Sequence, residues 1–179
     1  MPYSIGLYFD SETESMVRAI WKQLADLKLA EYFHVSGNRP HITLGIFKLM
    51  NTDAVKDELE KISRSNKIFP ISFQHIGIFQ SSTDAVFWAP VVTQEFLEFH
   101  RAFYDLILRT GATTESNYYT PGNLVPHCGL AMEVNDKQLI PQIVEVCQPL
   151  PNPHNAMVTE IGMLKIRPVE HLFSFTFIG

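Results

Sequence analysis

Cysteine is scarce in this chain: 179 residues carry only Cys128 and Cys147. Two thiols without metal-type spacing give neither a disulfide framework nor a zinc cluster, and they are expected to be buried and reduced, as in a cytosolic protein. No run of about 18 apolar residues is present, so no membrane-spanning helix is expected. The N-terminus, MPYSIGLYFD, lacks a basic segment followed by a long apolar one, so no secretory signal is expected and the protein is placed in the cytoplasm. There is no Asn-x-Ser/Thr sequon. Basic residues are outnumbered 14 to 19, for a net charge of −5. That balance argues against a coat for long nucleic acid and leaves room for a small anionic ligand in a local pocket. Gly-x-x-x-x-Gly-Lys, Gly-x-Gly-x-x-Gly and His-Glu-x-x-His are all missing, as is a nucleophile elbow.

What is present is a 46% apolar sequence of single-domain size. Tyr3, Ile5, Leu7 and Phe9 alternate with Ser4, Gly6, Tyr8 and Asp10, which predicts a half-buried strand. Ser11 with Glu14 reads as a capping box for a helix reaching about Leu29. A loop at 30–39 precedes a strand at 41–47, and Val55, Leu59 and Ile62 mark a helix after Thr52. Strands at 70–79 and 84–92 follow, joined by a Ser/Thr/Asp turn. Thr93 then caps a helix to about Arg109, and a Gly/Thr/Ser/Asn loop covers 110–125. A strand at 127–134, a helix near 137–147 with Pro141 blurring its start, and strands at 157–167 and 171–178 complete the chain.

The order helix, His-strand, helix, strand, strand thus occurs twice, and landmarks repeat with it. Pro40-His41 matches Pro126-His127, 86 positions on. Ile76-Gly77 matches Ile161-Gly162, each glycine lying 35 or 36 residues beyond its histidine. This predicts one α+β domain over 1–179, duplicated in halves of about 1–92 and 93–179, with two pseudo-symmetric lobes. No Pro/Gly/Ser linker divides them.

On a strand, His41 and Thr43 share one face while Ile42 and Leu44 share the other; His127 and Gly129 repeat the arrangement, with Cys128 and Leu130 opposite. A pseudo-twofold axis brings the two histidines together at a central groove. Such a pair suits phosphoryl transfer: one neutral imidazole takes a proton from the attacking oxygen and the other, protonated, gives one to the leaving oxygen. Histidine's ordinary pKa of ~6.5 centres that chemistry near neutral pH. Thr43 can hydrogen-bond a phosphate oxygen, and no metal is required. The histidines at 34, 75, 100, 154 and 171 lack this context and are expected to be structural or superficial, while Trp88 and the many phenylalanines are expected in the core.

Pro40-His41-Ile42-Thr43-Leu44 resembles the His-x-Thr-hydrophobic signature of the two-histidine (2H) phosphoesterase superfamily, and the ordered pattern extends over nearly the whole chain. The group most similar is the bacterial 2′-5′ RNA ligase and cyclic phosphodiesterase branch. The resemblance implies antiparallel sheets lining a central cleft with helices outside. It implies cleavage, or the reverse ligation, of 2′,3′-cyclic or 2′-5′-linked phosphodiesters on a small nucleotide or an RNA end, without metal, ATP or other cofactor. Carried over, His41 and His127 are the catalytic pair and Thr43 a phosphate ligand.

The second motif departs from that pattern. Gly129 stands where a hydroxyl residue is usual, and Leu130-Ala131-Met132 replaces a stretch that often holds arginine. A threonine at 129 is therefore expected to strengthen phosphate binding. Arg39 and Lys48, flanking the first motif, are candidates to supply the missing charge. Tyr118 and Tyr119, in the loop before the second histidine, are candidates to stack on a nucleobase. The alternative to an enzyme is a nucleotide or RNA-end binding protein on the same fold with little or no turnover, a reading the lost groups favour and the two intact histidines oppose.

Overall fold

The computed structural model describes residues 2–49, 51–80 and 84–179. Its first strand, β1 (Pro2–Phe9), is buried along Ser4 to Phe9 on both faces rather than on one. The reason is position. β1 lies between β2 (His41–Lys48) and β7 (His154–Lys165), antiparallel to both, and its Tyr8 side is roofed by other groups. The Arg39 guanidinium sits 4.3 Å from the centre of the Tyr8 ring, and the ring packs where Gly162 offers no side chain. Strand β8 (Glu170–Thr176) pairs with β7, giving the order β2–β1–β7–β8.

The same eight-stranded sheet continues in a second arm, β3 (Phe69–Phe79), β4 (Asp84–Pro90), β6 (Cys128–Val134), again antiparallel. Two seams join the arms: Ile42 opposite Cys128 between β2 and β6, and Phe69–Phe73 along β7. A two-residue strand, β5 (Thr113–Thr114), pairs with the end of β2. Pairing runs across the sequence repeat. The β7–β8 hairpin of the second half shares a sheet with the first His-strand, and the β3–β4 hairpin of the first half lies beside the second. The turn joining β3 to β4 falls at 81–83, outside the described residues.

Helices α1 (Ser11–Asp26), α3 (Thr52–Ser65), α4 (Gln94–Arg109) and α5 (Ile140–Cys147) each bury one apolar stripe. In α1 the stripe is Val17, Ile20, Trp21 and Leu24. The cap of α1 differs from the expected Ser11–Glu14 box. Asp10 is the N-cap, its carboxylate accepting from Thr13 N at 2.9 Å, and it also accepts from Met157 N on β7. Glu14 is thereby released toward Arg39. The helix ends at Asp26, three residues early, because Lys28 takes a left-handed backbone (φ 57°). The 30–39 loop contains one short helix, α2 (Tyr32–Val35), which inserts Phe33 into the core. Thr93 caps α4 as expected, accepting from Phe96 N at 3.2 Å. Pro141 falls in the first turn of α5, where its missing N–H costs nothing.

Cys128 and Cys147 are buried free thiols, both pushed up to about 12 by burial. No described helix is long and apolar enough to cross a membrane.

Candidate active site

Residues from both arms of the sheet line a cleft of about 390 Å³, His41 and His127 among them. Alternation on β2 produces this directly: Ile42 and Leu44 are fully buried, while His41 and Thr43 face the cleft. On the other wall Cys128 and Leu130 point into the core, and His127, Gly129 and Ala131 line the cleft.

The two imidazoles are held alike. His41 Nδ1 lies 2.6 Å from the carbonyl of Arg39, and His127 Nδ1 lies 2.7 Å from the carbonyl of Val125. Each ring thus donates Nδ1–H to the residue two before it, which fixes the tautomer and leaves Nε2 as the working atom. His41 Nε2 is 3.2 Å from Thr43 Oγ1. Burial pushes His41 down to about 4, partly opposed by its backbone hydrogen bond and reinforced by the charges of His127, His171 and Arg39. Burial also lowers His127, against its bond to Val125.

An aromatic wall surrounds His127. Phe79 stands edge-on at 4.9 Å and Phe87 at 5.4 Å, and these two rings stack on each other at 4.1 Å. Tyr118 meets the edge of Phe79 at 5.7 Å and Tyr119 lies beside it; both tyrosines line the cleft. Phe79 and Phe87 are therefore cleft residues rather than core alone. Their signal in the sequence is faint: Phe87 pairs across the hairpin with Gly77, whose absent side chain makes room for its ring.

Three expectations change. Arg39 does not line the cleft. Its guanidinium is held by Glu14 at 2.6 Å and Glu160 at 2.9 Å, and Ser174 donates to Glu160 at 2.6 Å. Lys48 pairs with Glu115 at 2.8 Å and also lies outside the cleft lining. Gly129 lines the cleft, but a side chain there would not reach a phosphate. A Cβ would lie 2.4 Å from Cζ of Phe33, so the ring occupies the position a hydroxyl needs.

Sequence reasoning missed Asn38, Ser4 and Arg167, which line the cleft from loops or from the face of β1 opposite its apolar stripe. Loop residues carry no periodicity, so nothing local marked Asn38 or Arg167. Of the other five histidines, His34 and His75 are exposed, while His100 bonds the Leu44 carbonyl at 2.9 Å, His154 lies 2.9 Å from Thr13 Oγ1, and His171 lies 3.0 Å from the Gly37 carbonyl. A larger, mainly apolar hollow of about 820 Å³ between β3 and α4 shares no residue with the cleft and has no histidine in its lining.

A mixed fold in which one histidine at the start of β2 and another just before β6 face one cleft is that of the two-histidine phosphoesterases. The family model described as the 2′-5′ RNA ligase superfamily matches residues 16–170, and the chain belongs to that superfamily. Solved structures agree in fold over the full length. TT0787 of Thermus thermophilus is 15% identical with a TM-score of 0.60, covering 100% of this chain and 99% of that one. E. coli LigT complexed with 3′-AMP is 15% identical with a TM-score of 0.59, covering 99% of each chain. E. coli LigT complexed with ATP is 14% identical with a TM-score of 0.54, covering 100% of each. No curated protein matches the chain in sequence.

Proposed function

We propose that this chain is a metal-independent phosphoesterase that opens 2′,3′-cyclic phosphates or 2′-5′ linkages of nucleotides by acid–base catalysis between His41 and His127. The observation that carries the reading is the matched pair of Nδ1–H bonds to the Arg39 and Val125 carbonyls, which aims two Nε2 atoms into one cleft. Membership of a phosphoesterase superfamily supports it, and the 3′-AMP in the LigT structure supports a nucleotide as ligand. The chain acts as one bilobal domain over 1–179 whose halves arose by duplication.

For a cyclic phosphate, water attacks phosphorus while His41 Nε2 removes its proton. The bond from phosphorus to the departing ribose oxygen breaks, and His127 Nε2–H protonates that oxygen. A nucleoside monophosphate leaves, with the proton now on His41 and none on His127; exchange with solvent resets the pair. The roles follow from the surroundings. His41 is held down to about 4 by burial and then by the charges of His127, His171 and Arg39, so it stays neutral at about pH 6 and is suited to the base, leaving the acid to His127. Thr43 hydrogen-bonds a phosphate oxygen. Tyr118 and Tyr119 offer faces to the base.

The test is incubation with nucleoside 2′,3′-cyclic phosphates and 2′-5′-linked dinucleotides in excess chelator, with His41→Ala and His127→Ala beside wild type. Turnover in chelator and a loss of ~10²-fold or more in each variant are expected. Activity restored only by a divalent metal sinks the metal-free mechanism. The second reading is a nucleotide-binding protein with little turnover. It is favoured by Phe33 filling the place of the second hydroxyl, and it predicts tight binding of the same compounds without product.

A further inference from the structure

Arg167 is the one charged side chain among the described residues lining the cleft. It is not free: its guanidinium is ion-paired with Glu133. Arg167 comes from the turn after β7, while Glu133, near the end of β6, lies just outside the cleft lining. Both are non-glycine residues in the left-handed backbone region, at φ 57° and 61°. That conformation is unfavourable for such residues, so the fold holds both positions against a local cost. The other basic residues near the first motif, Arg39 and Lys48, are committed to Glu14, Glu160 and Glu115. The one cation lining the cleft is therefore already matched by an anion beside it, on a protein whose net charge is −5.

The polar groups that remain suit one phosphate. Thr43, Asn38 and Ser4 accompany the two histidines, and the rest of the lining is largely apolar or aromatic. An exposed ion pair is weak and exchanges readily. The side chains of Arg167 and Glu133 are 69% and 38% exposed, so an arriving phosphate can take Arg167 from its partner. Glu133 then stays close by as an uncompensated negative charge. A first negative charge is tolerated by this exchange, while a second meets Glu133 and aromatic walls with no cation to answer it.

Resting on the phosphoesterase reading above, we propose that the Arg167–Glu133 pair is a specificity determinant that limits the cleft to substrates with a single negative charge beside a ring. A nucleoside 2′,3′-cyclic monophosphate fits; the same cyclic end on an RNA chain, with a charge at every linkage, is rejected.

The experiment compares adenosine 2′,3′-cyclic monophosphate with a ten-nucleotide RNA ending in the same cyclic phosphate, from 50 to 300 mM salt. The mononucleotide is expected to be favoured at least ~10-fold in kcat/KM, with a salt slope no steeper than about one phosphate contact gives, roughly −0.7. Glu133→Gln frees Arg167 and is expected to raise the RNA substrate at least ~3-fold more than the mononucleotide, narrowing the ratio, by removing one repulsive charge. An RNA substrate used equally well, or a ratio unmoved by Glu133→Gln, overturns the proposal while leaving the phosphoesterase reading intact. If neither compound turns over, that reading fails instead. The charge limit is then judged by titrating both compounds into the wild type and Glu133→Gln by calorimetry, where the same ranking and the same narrowing are required.

Discussion

Phe33 fills the space that any side chain at residue 129 would need. Its ring lies 2.4 Å from an ideal Cβ there and stacks on Trp21 at 4.9 Å, and Trp21 Nε1 donates to the Gly129 carbonyl at 2.9 Å. Ring, indole and strand form one sandwich, so the glycine is a packing requirement rather than a decayed motif. Gly129→Thr is accordingly expected to weaken the protein by the ~1–3 kcal/mol typical of overpacking, and to bring no gain in phosphate affinity. Gly129→Ala with Phe33→Leu should recover most of the stability. Thermal melts and the Trp21 contribution to fluorescence check this. Tighter nucleotide binding by Gly129→Thr at unchanged stability would restore the reading of a simple lost hydroxyl.

Arg39 acts beneath the site. Its side chain holds Glu14 and Glu160, and its carbonyl receives His41 Nδ1–H. Arg39→Met leaves two partly buried carboxylates without their cation and should cost on the order of 1–3 kcal/mol. The pH dependence identifies the cause. Hydrogen bonding to Arg39 is the leading reason that Glu160 sits below the ordinary carboxylate range. A depressed carboxylate contributes stability above its unfolded pKa of ~4.3 and loses it as pH falls through the folded value. Wild type should therefore lose stability below about pH 4.3 more steeply than Arg39→Met. Denaturant midpoints between pH 3 and 7 measure it, and parallel curves would show that Arg39 does not hold Glu160.

Much of this was legible because it is local. Strand alternation assigned Ile42 and Leu44 to the core and His41 and Thr43 to the opposite face, and Thr93 announced the start of α4. What escaped depends on distant partners. Asp10 and Ser11 are both good caps, and the choice goes to Asp10, which also takes Met157 N, 147 residues away. Arg39 looked like a phosphate ligand because Glu160, 121 residues on, could not be placed beside it. Phe79 and Phe87 reach the cleft through a hairpin register, and Arg167 through a turn, neither of which hydrophobic periodicity encodes.

Tyr118 is 46% exposed and lines the cleft beside Phe79. Aromatic stacking on a base is worth ~1–3 kcal/mol, or roughly 5- to 150-fold. Tyr118→Ala should lower kcat/KM by that order on a nucleoside 2′,3′-cyclic phosphate and leave the base-free ribose 2′,3′-cyclic phosphate nearly unchanged. An equal loss on both compounds would assign Tyr118 to shaping the loop rather than to holding the base.

The surroundings of the two histidines move the working pH away from neutrality. The proposed mechanism needs His41 neutral and His127 protonated. Burial pushes His41 down to about 4, and His127 is lowered below its ordinary ~6.5 for the same reason. In the free enzyme the competent form therefore dominates between those limits, and kcat/KM should peak on the acid side of 6.5 rather than around 7. A bound phosphate anion favours the imidazolium, so the alkaline limb of kcat should lie above that of kcat/KM. Stability carries the matching sign. Both histidines resist protonation when folded, so the unfolded chain binds more protons between about pH 4 and 6.5, and the ligand-free protein should weaken as pH falls through that window. His41→Asn should flatten that decline. Rate profiles from pH 3.5 to 9, with denaturant midpoints over the same range, test both halves of the argument. A kcat/KM profile centred at or above neutrality, with no acid-side loss of stability relieved by His41→Asn, would mean that burial does not set the protonation of this pair.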